Sequence, residues 1–407
     1  MAKDLFSSHP PFTPPTKEED RLSWLRLIRS SRVGPSTFFR LLSEYGTAEA
    51  ALEALPKIAQ AAGVDTYSPF PADKARAEID LARAKGARML CFGTDAYPAT
   101  LASINAPPPV LWCMGKRAPI LRPMVAIVGA RNASSLGTRM ARTLAEGLGH
   151  EGYTIVSGLA RGVDAAAHHA SLKTGTIAVM GGGVDVIYPT ENTVLAAAIA
   201  DQGLRLSEAP MGLHPQARHF PPRNRIISGL ALAVVVVEAA EKSGTLITAR
   251  DALDQGREIM AVPGHPVDGR AGGCNGLIRD GATLVRHVDD ILEVLQRLQD
   301  HPPEPVSSIP AQTRIVQPGQ SARHETGPAS GASPRTNPPP PRQTGNAPAL
   351  DARILALLGP TPTAEDQLIR DLQMSASQIS PVLVTLELQG AVQRHPGGLV
   401  SKPQARH

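Results

Sequence analysis

What this sequence has little of narrows its class first. Three cysteines, Cys91, Cys113 and Cys274, are odd in number and widely spaced. They offer no disulfide framework and no metal-ligand spacing, so they read as reduced core thiols in a cytoplasmic protein. No run approaches the ~18 apolar residues of a membrane span. The N-terminal MAKDLFSSHPPFTPP has no apolar signal core. Aromatics are scarce at 3%, although an apolar content of 42% allows a sizeable core. The formal net charge of +4 permits an anionic partner without demanding one. No GxxxxGK loop followed by Ser or Thr occurs, and GARNASSLG lacks the second glycine of GxGxxG. A P-loop nucleotide enzyme is excluded, and a generic dinucleotide site is poorly supported.

What is present is a chain of 407 residues, enough for two or three domains. Residues 1–17 form a Pro- and Ser-rich tail, expected to be disordered. Residues 18–86 follow a helical pattern, with Trp24, Leu25, Leu27 and Ile28 on one face and Phe38, Leu41 and Leu42 on another. Between these faces, RVGPSTFF ends one helix at Gly34 and starts the next. Both a helix–hairpin–helix of the DNA-associated kind and an ordinary helical hairpin fit. Residues 87–299 alternate strands and helices, which predicts a parallel, doubly wound α/β sheet. Residues 300–349 are a Pro-rich linker, with PPPP at 338–341. Residues 350–402 read as helix, helix, helix and hairpin, the order of a winged helix. The third of those helices, Ser377 to Gln389, holds Glu387 and no Arg or Lys, which favours a protein–protein role over reading DNA.

The stretch from Met124 to Gly264 organises the rest. Its apolar runs end in turns: VAIVGARNASSLG, TIVSGLARGVD, TIAVMGGGVDVIYP, HFPPRNRIISG, VVVVEAAEKSGTLITA and MAVPG. Unpaired amides at a helix start carry the positive end of the dipole and favour anions. Several of these turns also hold a cation: Arg131, Arg161, Arg223, Arg225 and Lys242. Parallel adjacent strands would gather them along one carboxyl edge, as a line of phosphate sites instead of one pocket.

This array, with LSEAP, AVPGHP and GGCNGLIRDGATLV, and with YPATL and PPPVLWCMG upstream, resembles the DNA-processing protein A family, DprA, also called Smf. The resemblance is dense over about residues 87–299 and implies an extended Rossmann-like sheet. It also implies an N-terminal SAM-like or helix–hairpin–helix domain and a C-terminal winged helix. By the same resemblance the protein binds single-stranded DNA, self-associates as a dimer and helps load the RecA recombinase in natural transformation and recombination. No cofactor, metal or catalytic residue is implied.

Carried over by motif, the DNA-binding set is Gly129 and Arg131; Ser157, Gly158 and Arg161; Phe220, Arg223, Asn224 and Arg225; and Lys242, Ser243, Gly244 and Thr245. The arginines and lysine would neutralise phosphates, the glycines admit a close backbone, and Ser157, Ser243 and Thr245 donate hydroxyl bonds. Phe220 stacks a base or is a core aromatic. Asp164 is expected to pair with Arg161 and cap the next helix. For Arg225, an internal salt bridge to Glu208 or Glu238 competes with phosphate binding. A nucleoside monophosphate hydrolase of the lysine-decarboxylase-like group is the rival function, and a non-catalytic scaffold is a third. EKSGTLITAR lacks the glutamate that the hydrolase chemistry needs, and Asp185, Glu208 and Glu238 are not clustered in sequence.

Overall fold

A computed structural model describes residues 13–300 except 65, and residues 350–402 except 359–362, 373, 375 and 396–398. The linker, most of the expected N-terminal tail and the Pro-Gly-Gly turn of the last hairpin lie outside the described residues. The chain divides into two compact units at residue 302.

The first unit opens with four helices, α1 (Glu18–Arg29), α2 (Pro35–Tyr45), α3 (Ala48–Ala61) and α4 (Ala72–Ala84). Proline at the start of α2 has no amide to waste there and a pre-set φ. Strands β1 (Arg88–Cys91) and β2 (Val110–Gly115) follow, with the short α5 (Ala99–Ala102) between them. The repeating core then runs β3 (Met124–Val128), α6 (Ser135–His150), β4 (Thr154–Ser157), α7 (Val163–Ser171), β5 (Thr176–Val179), α8 (Thr193–Gln202) and β6 (Leu204–Ser207). It continues with α9 (Phe220–Leu230), β7 (Ala233–Val236), α10 (Thr245–Asp254), β8 (Glu258–Ala261), α11 (Gly272–Arg279), β9 (Thr283–Leu284) and α12 (Val288–Asp300).

The nine strands form one sheet in the order β1-β2-β6-β5-β4-β3-β7-β8-β9. From β6 to β9 every pairing is parallel; β2 joins β6 and β1 joins β2 antiparallel. Strands β3 to β7 are buried throughout, as their continuous apolar runs require. The chain moves outward from β3 through β4 and β5 to β6, then crosses back to β7 on the other side of β3. The order therefore reverses between β3 and β7, and the carboxyl ends there are the expected ligand crevice.

One segment departs from expectation. HFPPRNRIISG reads as a turn, yet Phe220 to Leu230 is helix α9. Pro221 and Pro222 fall in its first turn, where a missing amide breaks no helical hydrogen bond.

The helical segment and the sheet share one core. Trp24, Phe38, Phe39, Phe92 and Tyr97 meet edge-to-face in sequence, with centroids 4.8 to 5.4 Å apart. Arg29 pairs with Glu78 at 2.9 Å and donates to the Glu208 carbonyl, while Trp112 Nε1 also donates to Glu78.

The second unit contains α13 (Leu350–Leu357), α14 (Glu365–Leu372) and α15 (Ala376–Leu388). A small sheet of β10 (Thr363–Ala364), β12 (Leu399–Ser401) and β11 (Gln393–His395), in that order, completes it. Ile354, Leu368, Ile379, Leu383 and Val400 fill its core.

Candidate nucleic-acid interface

The loops after β5, β4, β3 and β7 lie in that order along the carboxyl edge. They carry Tyr188, Arg161, Arg131 and Lys242 respectively, all exposed. Three gaps between strands span roughly 14 Å, wider than one phosphate needs.

At the centre, the Arg131 guanidinium lies over the Phe220 ring, 5.3 Å from its centroid. Phe220 is half-buried at the start of α9, close against Gly181. A second ring, Tyr188, sits 5.7 Å from Phe220 and is 48% exposed. Neither Arg131 nor Lys242 has an ion-pair partner among the described residues. Arg161 reaches Glu191 at 3.5 Å, with both side chains mostly in solvent; such a pair contributes little and exchanges readily. The cluster joins cations to an accessible π-face, the two components of sequence-tolerant strand binding.

Other expected contact residues are turned inward. Arg223 is 8% exposed, and its Nη1 donates to the carbonyls of Gly158, at 2.8 Å, and Val179. Burial lowers its pKa to about 10; Asp164 opposes that change, and Arg131 adds to it. Arg223 is therefore a buried strut joining α9 to the ends of β4 and β5, and not a phosphate clamp. Arg225 takes the salt-bridge alternative: its Nη2 contacts both Glu208 oxygens, at 2.7 and 2.6 Å, and Nη1 donates to Ala106 O. Both side chains find partners inside the protein because α9 is a helix that packs on the sheet.

The hydroxyls are committed as well. Ser157 is fully buried and donates to Ile127 O at 2.7 Å. Thr245 Oγ1 donates to Gly129 O at 3.1 Å and receives the Ser243 hydroxyl at 3.1 Å, tying the β7 loop to the end of β3. Asn224 Oδ1 accepts from Arg223 Nε. Gly158 admits the Arg223 guanidinium, whose atoms would lie 2.6 Å from an added Cβ, and its amide donates to Asp164. Gly129 is buried against Val163. Gly244 alone among these glycines faces open space.

Asp164 does not pair with Arg161. Its Oδ2 accepts the Gly158 and Ala160 amides, at 3.1 and 3.3 Å, and so shapes the β4 turn. Burial raises its pKa, against the pull of Arg223 and those amides. The helix cap is Gly162, at φ +74°, where a side chain would strike the Ala130 and Arg131 carbonyls.

At the reversal between β3 and β7, the α6 N-terminus is already occupied. Glu238, just past β7, accepts the Ser134 amide at 2.9 Å and the Ser134 hydroxyl. Gly137 gives its carboxylate room. The socket where a Rossmann fold receives a pyrophosphate thus holds the protein's own anion. Sequence reasoning missed this, as it missed Tyr188; the signal for Tyr188 was an aromatic in a glycine-rich loop of an aromatic-poor chain. Among the described residues, no group of three or more His, Cys, Asp or Glu side chains could hold a metal ion, and no helix is long and apolar enough to cross a membrane.

The fold and this edge define an extended doubly wound α/β protein whose carboxyl edge presents exposed cations and an exposed ring. Residues 88–296 match the family described as DNA recombination-mediator protein A. Residues 18–81 match the DprA-like N-terminal HHH domain, and 338–398 the DprA winged helix domain. Protein Smf of Synechocystis is 39% identical over 311 residues, 74% of this chain and 76% of that protein. DNA processing protein DprA of Bacillus subtilis is 44% identical over 216 residues, 52% of this chain and 73% of that protein. The X-ray structure of DNA processing protein A from Streptococcus pneumoniae is 35% identical, with a TM-score of 0.55, covering 68% of this chain and 98% of that one. The chain belongs to the DprA/Smf family.

Proposed function

We propose that this protein binds single-stranded DNA along the carboxyl edge of its sheet and acts in transformation and recombination. The observation that carries the reading is the Arg131–Phe220–Tyr188 cluster, its arginine and tyrosine exposed and its phenylalanine half-buried, flanked by Arg161 and Lys242. Guanidinium and ammonium groups neutralise backbone phosphates, and the rings accept unpaired bases, which a duplex keeps stacked. Self-association and loading of the RecA recombinase, implied by the family resemblance, are proposed on the same footing, as is a cytoplasmic setting. Three buried thiols without disulfides accord with the last.

On this reading the role is binding. Hydrolysis of a nucleoside monophosphate needs a poised carboxylate beside the ribose. Of the candidate acids, Glu208 is held by Arg225, Glu238 by Ser134, and Asp185 accepts the Gly212 amide.

Titration of a fluorescent dT oligomer at rising salt tests the reading. Affinity should fall steeply between low and moderate salt and exceed that for duplex. A flat response rejects phosphate neutralisation as the driving force. Removing residues 301–407 should leave strand binding largely intact; its loss would move the site to the winged helix.

A further inference from the structure

Strand β1 closes one edge of the sheet and pairs with β2 alone. Beside it, walled by α1 and α4, lies a cavity of about 600 Å³. The Phe92 amide donates to Pro109 O. Residues alternate in an antiparallel ladder, so Leu90 and Arg88 also bond to β2, while Met89 and Cys91 turn their backbone groups outward. Thr94 takes the Cys91 carbonyl through its amide and hydroxyl. The Met89 N–H and C=O and the Cys91 N–H face outward with no partner among the described residues.

Four guanidinium groups surround this short edge: Arg21, Arg76, Arg88 and Arg117. None forms an ion pair with a described carboxylate; Arg88 donates only to Gly115 O. Of the acids on the wall, Glu18 and Asp80 share Arg83 and Glu19 stands apart, so five arginines still exceed three carboxylates. Leu22 and Ile79, partly buried against the core, give the cavity an apolar side.

We propose that this groove docks an acidic segment of another protein, added as a strand to β1. The segment's backbone would pair with Met89, its carboxylates would meet the arginines, and an apolar side chain would rest on Leu22 and Ile79. Nucleic acid fits less well. The Met89 carbonyl wants an N–H, which a phosphodiester lacks. The one aromatic on the wall, Trp112, is buried with its Nε1 bonded to Glu78.

The test is fluorescence anisotropy of the full chain with a labelled Asp–Leu alternating octapeptide, beside its Lys–Leu counterpart. Only the acidic peptide should bind saturably. Arg76→Glu with Arg117→Glu, both on the surface, should weaken it at least ~10-fold by reversing two charges near its carboxylates, with dT oligomer binding unchanged. Met89→Pro removes one outward N–H from an edge strand, where proline is tolerated, and should weaken the peptide several-fold. Hydrogen exchange on the unmutated chain gives a second readout: bound peptide should slow the Met89 and Cys91 amides. Equal binding of both peptides, indifference to charge reversal, or unaltered exchange at β1 would overturn the proposal. Displacement of the peptide by a dT oligomer would also overturn it and assign the groove to nucleic acid.

Discussion

Arg131 follows β3 and Phe220 opens α9, after β6, yet the guanidinium of one covers the ring of the other at 5.3 Å. The pair puts a charge and a π-face within reach of one nucleotide. The two substitutions should therefore fail differently. Phe220→Ala should weaken dT binding roughly 5- to 150-fold, the equivalent of ~1–3 kcal/mol, with the salt dependence unchanged. Arg131→Ala should weaken all sequences alike and lower the slope of log K against log salt by about one. Tyr188→Ala should follow Phe220→Ala in direction. Titrations at several salt concentrations separate these outcomes.

Arg223 and Arg225 should behave as structural residues. Arg223→Met strips two buried carbonyls of their donor and leaves Asp164 without its nearest cation. Such losses cost ~1–3 kcal/mol per unsatisfied group, and urea unfolding should show the deficit. Arg225→Ala should also destabilise, by abandoning Glu208. Arg131→Ala should leave the urea midpoint within error. If Arg223→Met instead kept full stability and removed only the salt dependence, its assignment as a strut would be wrong.

Gly162 couples the β4 turn to the Arg131 loop. Gly162→Ala must hold a positive φ and press a methyl against the Ala130 carbonyl. We expect a stability loss of at least ~1–2 kcal/mol from the backbone alone and weaker dT binding as the Arg131 turn shifts. Gly244→Ala makes a useful contrast. Its φ of −59° suits alanine and nothing lies within 4 Å, so stability should hold. A several-fold drop in dT affinity would then mark the strand's path over that turn.

His168 gives a pH signature. It is fully buried, with Nδ1 2.7 Å from Thr176 Oγ1, and burial lowers its pKa from 6.5 to about 3. Below pH 6.5 the unfolded chain binds a proton that the folded chain refuses. Stability is complete above that pH and declines as pH falls toward 3, by about 2 kcal/mol at pH 5. Thermal melts from pH 8 to pH 4.5 should show a steeper decline for the native chain than for His168→Gln.

The sheet and its turns were legible because strands buried on both faces need unbroken β-branched runs, and glycine marks where each run ends. Helices α6, α7, α10 and α12 follow from the same alternation. Helix α9 was not legible, because prolines that end most helices are tolerated at the start of one. The salt bridge of Arg225 to Glu208 was one of the alternatives read from the sequence, but the inward turn of Arg223 was hidden for another reason. A guanidinium's partner is set by tertiary packing, and Gly158 O and Val179 O come near Arg223 only once α9 lies on the sheet. The motif that placed Arg131 at the surface is of the same kind as the one that placed Arg223 beneath it.

Glu238 on the Ser134 amide, at the cap of α6, has a wider consequence. A cell is full of small phosphorylated metabolites that would compete for any vacant socket of this fold. A built-in carboxylate seated there repels a phosphate at that amide. A ligand long enough to touch several loops together gains contacts that a monomer cannot make, which tilts such a scaffold toward polymers.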